Sequence, residues 1–146
     1  GPVLIEVNCR LHGGEGTWVP MEVECLGYSA VSAMLDAHLD PAAFAALPRV
    51  PQDFKAHAME AKLRSAVEGT LTRIDEAAMG AIRALDSYRA EFVPLAVGKP
   101  VYKTIDAVSA AGNINLVNSD PDALRRDYEA LHEIVARGLF FADGGA

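Results

Sequence analysis

Apolar and polar residues alternate from Val3 to Arg10, and the alternation predicts a short strand. Val3, Ile5, Val7 and Cys9 fall on one face, and Leu4, Glu6, Asn8 and Arg10 on the other. The first face is wholly apolar. The second sets a carboxylate, an amide oxygen and a guanidinium about 6–7 Å apart along the chain. The strand runs into a loop from Leu11 to Pro20 that carries Gly13, Gly14 and Gly16. Glycines there let the backbone take positive φ and approach a ligand closely.

The period then changes. Val31, Leu35 and Leu39 recur at helical spacing and predict a helix from Tyr28 to Leu39, with Gly27 at its start. Asp40 as N-cap and Pro41 at the first helical position open a second, short helix to Leu47. Pro48 and Pro51 end it, and residues 48–57 read as a linker. Alternation returns in residues 59–67, where Ala61, Leu63, Ser65 and Val67 oppose Lys62, Arg64 and Ala66. A turn at Glu68-Gly69 leads to a second strand, Thr70 to Ile74. Asp75 caps a helix from Glu76 to Leu85, with Ala78, Ile82 and Leu85 facing inward. Residues 88–93 alternate as a strand. Residues 97–100 form a turn, and Val101–Ala107 and Asn113–Asn118 read as two more strands. Ser119-Asp120-Pro121 starts the clearest helix, with Leu124, Tyr128, Leu131 and Val135 on one face and Gly138 as its closing glycine. Phe140 and Phe141 are expected to pack beneath it. There is no internal repeat. The expected class is α+β, a mostly antiparallel sheet with flanking helices.

Composition narrows this picture only a little. The chain has 146 residues, 51% of them hydrophobic, with 13 basic and 20 acidic residues and a formal charge of −7. The acidic balance excludes the basic stripe of a nucleic-acid binder. No apolar run approaches the roughly 20 residues of a membrane span, and no signal peptide is visible. Two cysteines, Cys9 and Cys25, read as reduced core residues in a cytoplasmic setting. Gly1-Pro2 reads as the scar of a cleaved tag, which would place a cut just before Val3.

The pattern Glu6-x-Asn8-x-Arg10, at the end of a strand and before a glycine loop, resembles the metal-binding strand of the ATP-grasp superfamily. It is most similar to that superfamily's carboxylate–amine ligases, which join an amino acid to a second substrate. The run Glu6-Val7-Asn8-Cys9-Arg10-Leu11-His12-Gly13-Gly14 and the later Cys25-Leu26-Gly27-Tyr28-Ser29 carry the likeness further. So do Glu68-Gly69-Thr70-Leu71, Lys103-Thr104-Ile105-Asp106, the loop with Gly112, and the closing helix. The resemblance implies the C-terminal portion of an ATP-grasp fold. Residues 1–47 would end the catalytic sheet, with the metal-binding strand and substrate loop, and residues 48–146 would form an α+β subdomain. It further implies ATP and magnesium as cofactors. Glu6 would bind the metal, bridging two ions, and Asn8 would give one of them its side-chain oxygen. Arg10 would be the catalytic residue, holding the γ-phosphate or the acyl phosphate made from it. His12, Gly13, Gly14 and Glu15 would contact the acyl substrate. Nucleotide-binding lysines, a glycine-rich lid and a second acidic metal ligand would precede Val3 in such an enzyme. The chain alone is therefore expected to be inactive. Its expected partners are the remainder of the enzyme and small carboxylate and amine substrates.

The residues by themselves leave other readings open. Glu6, Asn8 and Arg10 also suit the solvent-facing side of an edge strand, and the glycines an ordinary loop. The rival to the ligase is a non-catalytic α+β module that dimerises through an exposed strand edge. His38, His57 and His132 read as packing or surface residues. Lys103 and Asp106 are either a surface ion pair or groups that reach an active site. Trp18 is either an anchor under the glycines or a lid over substrate.

Overall fold

The structure, a computed structural model, describes residues 3–4, 7, 11, 14–51 and 53–144, with the backbone alone at Glu15. The chain divides into two compact units, residues 1–55 and 56–146.

The first unit is helical over its described residues. A 3-10 turn at Gly14–Gly16 leads into α1 (Trp18–Leu26), followed by α2 (Ala30–Leu39) and α3 (Pro41–Ala46). The loop expected to reach Pro20 is therefore shorter, and α1 lies where no helix was expected. Pro20 sits in the first turn of α1, where its missing N–H is not required. Met21 and Cys25, with Trp18, share one face of this helix, and the first two are buried. Gly27 ends α1 in the left-handed region, at φ 88°, and its N–H returns to the carbonyl of Val23 at 2.8 Å.

α2 starts on a reciprocal cap. The Ser32 N–H donates to Ser29 Oγ at 3.0 Å, and the Ser29 N–H donates to Ser32 Oγ at 2.9 Å. The Ala30 N–H donates to the carboxylate of Glu22, on α1, at 2.9 Å. A negative group at a helix N-terminus satisfies an orphan donor and opposes the positive end of the dipole. α3 begins as expected, on Asp40, whose Oδ1 accepts from the Ala43 N–H at 3.0 Å. The proline-bearing stretch then folds back, and the Lys55 N–H donates to the Cys25 carbonyl at 2.8 Å.

The strand expected over 3–10 lies mostly outside the described residues; of it, Val3, Leu4 and Val7 have no regular structure and are largely exposed. No strand is found among the described residues of this unit. The helical stripe of α2 is not buried, since Leu35 and Leu39 are exposed.

The second unit holds two three-stranded antiparallel sheets and two helices. In the first sheet the order is β1-β5-β3, with β1 (His57–Leu63), β3 (Tyr88–Phe92) and β5 (Gly112–Asn118). β1 pairs with β5 from His57↔Asn118 to Leu63↔Gly112, and β3 carries a bulge between Tyr88 and Ala90. In the second sheet β2 (Gly69–Ile74) lies between β4 (Pro100–Val101) and β6 (Phe140–Asp143). α4 (Glu76–Arg83) and α5 (Pro121–Ala136) complete the unit, and α5 packs on β1, β5 and α4. Ala61, Leu63, Leu71, Ile82, Ile114, Leu116, Leu124, Leu131 and Phe140 belong to one buried cluster.

The expected class, α+β with antiparallel pairing and flanking helices, is the observed one. The details differ at two places. The strand expected over 101–107 is confined to Pro100–Val101, because Thr104 and Asp106 bond to loop partners instead. Phe140 and Phe141 do not simply underlie α5: they open β6, and only Phe140 is buried.

Candidate functional site

Glu6, Asn8, Arg10, His12 and Gly13 lie outside the described residues. The described end of the candidate site is the turn Gly14–Gly16, which contains the backbone of Glu15. Gly14 has φ 53° and Gly16 φ 90°, both in the region that favours glycine. Thr17 closes the turn twice, donating to the Gly14 carbonyl from its N–H at 3.0 Å and from Oγ1 at 2.6 Å. The indole of Trp18 lies directly against Gly14. A Cβ at Gly14 would come within 2.7 Å of Trp18 Cδ1 and Nε1. Trp18 is thus the anchor of this turn, held by the first turn of α1.

The second unit offers three polar constellations. On the sheet face opposite Ala61 and Ile114, Glu60 Oε1 meets Lys62 Nζ at 2.6 Å, and Asn113 Nδ2 donates to Glu60 Oε2 at 2.6 Å. Asn113 is only 5% exposed, and its amide oxygen accepts no hydrogen bond among the described residues. Asn113 opens the strand expected over residues 113–118. The signal available was asparagine at two alternate positions, Asn113 and Asn115, in an otherwise apolar central strand.

A second group joins α4 to β3. Arg83 donates to both oxygens of Glu91, and Tyr88 Oη donates to the same carboxylate. The Arg83 hydrogen bonds hold Glu91 below the usual carboxylate range, and Glu91 in turn holds the guanidinium protonated. Desolvation pushes the Tyr88 hydroxyl up.

A third is a cleft of about 350 Å³ rimmed by Arg64, Lys103, Thr104 and His132 and floored by Val67, Val135, Leu139 and Phe140. Burial, and after it the charge of Arg64, lowers the pKa of His132. The ring also packs edge-on against Tyr128, with centroids 4.4 Å apart. Lys103 belongs to this cleft, whereas Asp106 accepts from the N–H and hydroxyl of Ser109, both at 2.8 Å. His38 and His57 are exposed, and Cys25 is a buried free thiol, its pKa raised by desolvation. Among the described residues no group of three or more His, Cys, Asp or Glu is placed to hold a metal, and no helix is long and apolar enough to cross a membrane.

No family model matches the chain. A dapdiamide A synthase of Enterobacter agglomerans is 29% identical to it over 138 residues, which is 93% of this chain. The chain is similar in sequence to a segment of that synthase. It spans 31% of that synthase, about a third of its length. The fold agrees: the crystal structure of an L-amino acid ligase from Bacillus licheniformis superposes with a TM-score of 0.65 over 83% of this chain and 29% of its own, at 16% identity. The aligned stretch, 138 of 146 residues, includes nearly all of the second unit.

Proposed function

We propose that this chain is the C-terminal part of an ATP-dependent, magnesium-dependent ligase that activates a carboxylate as an acyl phosphate and joins it to an amine. The observation that supports this most directly is the similarity to the synthase along 93% of the chain. The L-amino acid ligase of like fold makes an α-amino acid the leading candidate for one substrate.

The residues suit the chemistry. Glu6 and Asn8 present carboxylate and amide oxygens, the hard donors magnesium takes, and would hold the ion. When bound, magnesium offsets charge on the transferred phosphoryl group. Arg10 binds that group through parallel charge-assisted hydrogen bonds. A carboxylate oxygen attacks the γ-phosphorus and ADP leaves. The amine nitrogen then attacks the acyl carbon, loses a proton, and phosphate departs with the transferred oxygen. Arg10 stabilises negative charge through both steps. His12, Gly13, Gly14 and Glu15 bind the acyl substrate, and the closed turn at Gly14–Thr17 fixes the end of that loop. The remaining two-thirds of the enzyme supplies the rest of the nucleotide site, and the chain alone does not turn over.

Substitution in the full-length enzyme tests this. Glu6→Gln and Arg10→Ala each abolish amino-acid-dependent ADP release while circular dichroism and melting temperature stay unchanged. Turnover retained in both variants overturns the assignment.

A further inference from the structure

The cleft rimmed by Arg64, Lys103 and His132 lies wholly in the second unit and includes none of residues 6–15. Its floor and its rim differ in kind. Val135, Leu139 and Phe140 form the floor, all three members of the buried core cluster, with the half-buried Val67 beside them. Apolar side chains that end in an open cleft of about 350 Å³ offer a surface that gains by losing its water. The rim is cationic, and among the described residues no acidic side chain lines the cleft. Nor does Arg64 or Lys103 form an ion pair among the described residues, in a chain of formal charge −7 where Lys62, Arg73, Arg83, Arg126 and Arg137 each find a carboxylate. Glu60, in the adjoining hollow that Arg64 and His132 share, already holds Lys62 and Asn113.

The rim is also fixed in place. The Ser65 N–H donates to Thr104 Oγ1 at 3.0 Å, and the Thr104 N–H donates to the Ser65 carbonyl at 2.9 Å. The chain neighbours of Arg64 and Lys103 are thereby locked together. The edge-on contact with Tyr128 orients the His132 ring. α5 ends at this cleft, and its Ile134 and Val135 carbonyls accept from the Arg137 and Gly138 N–H groups, which reduces their repulsion of an anion.

We propose that this cleft binds a small organic anion, its carboxylate or phosphate head held by Arg64 and Lys103 and its apolar body laid on Val135, Leu139 and Phe140. The guanidinium fork takes two oxygens at once, and the ammonium adds a mobile point charge. The cleft volume lies in the range of small-molecule sites, and the floor disfavours a bare inorganic ion.

The test titrates the isotopically labelled 146-residue chain with hexanoate, hexyl phosphate, inorganic phosphate and hexylamine, following amide chemical shifts. At least one of the two organic anions should bind with a Kd of about 1 mM or tighter, shifting the amides of Arg64, Lys103, His132 and Leu139. The tighter of the two identifies the head group. Inorganic phosphate, which cannot use the floor, and hexylamine, which the rim repels, should bind at least about tenfold more weakly. Arg64 and Lys103 are exposed, so Arg64→Ala and Lys103→Ala should keep the melting temperature. Each should weaken the organic anion about tenfold, the worth of one hydrogen bond to a charged group. Ala136→Phe puts a ring at an exposed position on the cleft wall, and should abolish binding by filling the space. Failure of both organic anions to bind, equal affinity for inorganic phosphate or hexylamine, unchanged affinity in both Arg64→Ala and Lys103→Ala, or shifts confined to other parts of the chain overturns the site.

Discussion

Arg83 clamps Glu91 through two parallel hydrogen bonds, Nε to Oε2 at 2.9 Å and Nη2 to Oε1 at 2.6 Å. Tyr88 Oη adds a third to the same carboxylate at 3.0 Å. The group fastens α4 to the edge strand β3, and bidentate geometry of this kind is the strong form of an ion pair. Because Arg83 is partly exposed, solvent screens the pair, and its main signature is pH dependence rather than a large stability.

That dependence has a definite sign. Glu91 is held below its ordinary 4.5, so its contribution is present above that value and disappears as pH falls through the lower folded one. Asp75, lowered chiefly by the Ala78 N–H, acts in the same direction. His132, also lowered, begins to weaken the fold earlier, as pH drops below its ordinary 6.5 and the unfolded state takes up a proton first. The melting temperature should thus decline in two steps on acidification. Glu91→Gln should flatten the lower step and His132→Gln the upper one. A melting temperature that rises between pH 7 and pH 5 contradicts this.

Burial ranks the apolar positions. Leu131 is fully buried in α5, and Leu131→Ala should cost about 2–5 kcal/mol in urea unfolding. Leu39 is 79% exposed at the end of α2, and Leu39→Ala should fall within about 0.5 kcal/mol of the parent. Equal costs at the two sites would refute the assigned core.

The cap on α2 is measurable alone. Ser29 is buried and closes the reciprocal pair with Ser32. Ser29→Ala should destabilise by about 1 kcal/mol, the usual worth of such a cap. A neutral result would show that Glu22 alone secures the helix start.

Gly112 has φ 147°, and a Cβ there would collide with the carbonyl oxygen of Phe92 on the neighbouring strand. Gly112→Ala should therefore lower stability by at least about 1–3 kcal/mol and loosen β3 first. Hydrogen exchange at Ala90 to Phe92 would show it. Unchanged protection there would count against the close pairing.

Much of the second unit was legible in the sequence because its signals are local. Asp75 and Asp120 announce α4 and α5 by their caps, and the spacing of Leu124, Leu131 and Val135 marks the buried face of α5. β1, β2, β3 and β5 each carry a β-rich or alternating run. What was missed depends on distant partners. β6 exists because Phe140 to Asp143 finds β2, nearly 70 residues earlier, and nothing in Phe-Phe-Ala-Asp says so. The strand expected after Val101 is cut short because Thr104 turns to Ser65 and Asp106 to Ser109. α1 was hidden by Pro20, read as loop chemistry although a first-turn proline is compatible with a helix. For the candidate site, Glu6, Asn8 and Arg10 lie outside the described residues, and their roles rest on residue type alone. The Gly14–Trp18 contact needed a backbone conformation that sequence alone does not disclose.

Activation of the carboxylate by phosphoryl transfer, as proposed above, is tested most directly by oxygen tracing. The full-length enzyme is supplied with ATP, magnesium, an amine and its preferred amino acid labelled with 18O in the carboxylate. One labelled oxygen should appear in the inorganic phosphate, and ADP should accumulate with it. Unlabelled phosphate, or label recovered in AMP, would contradict the mechanism.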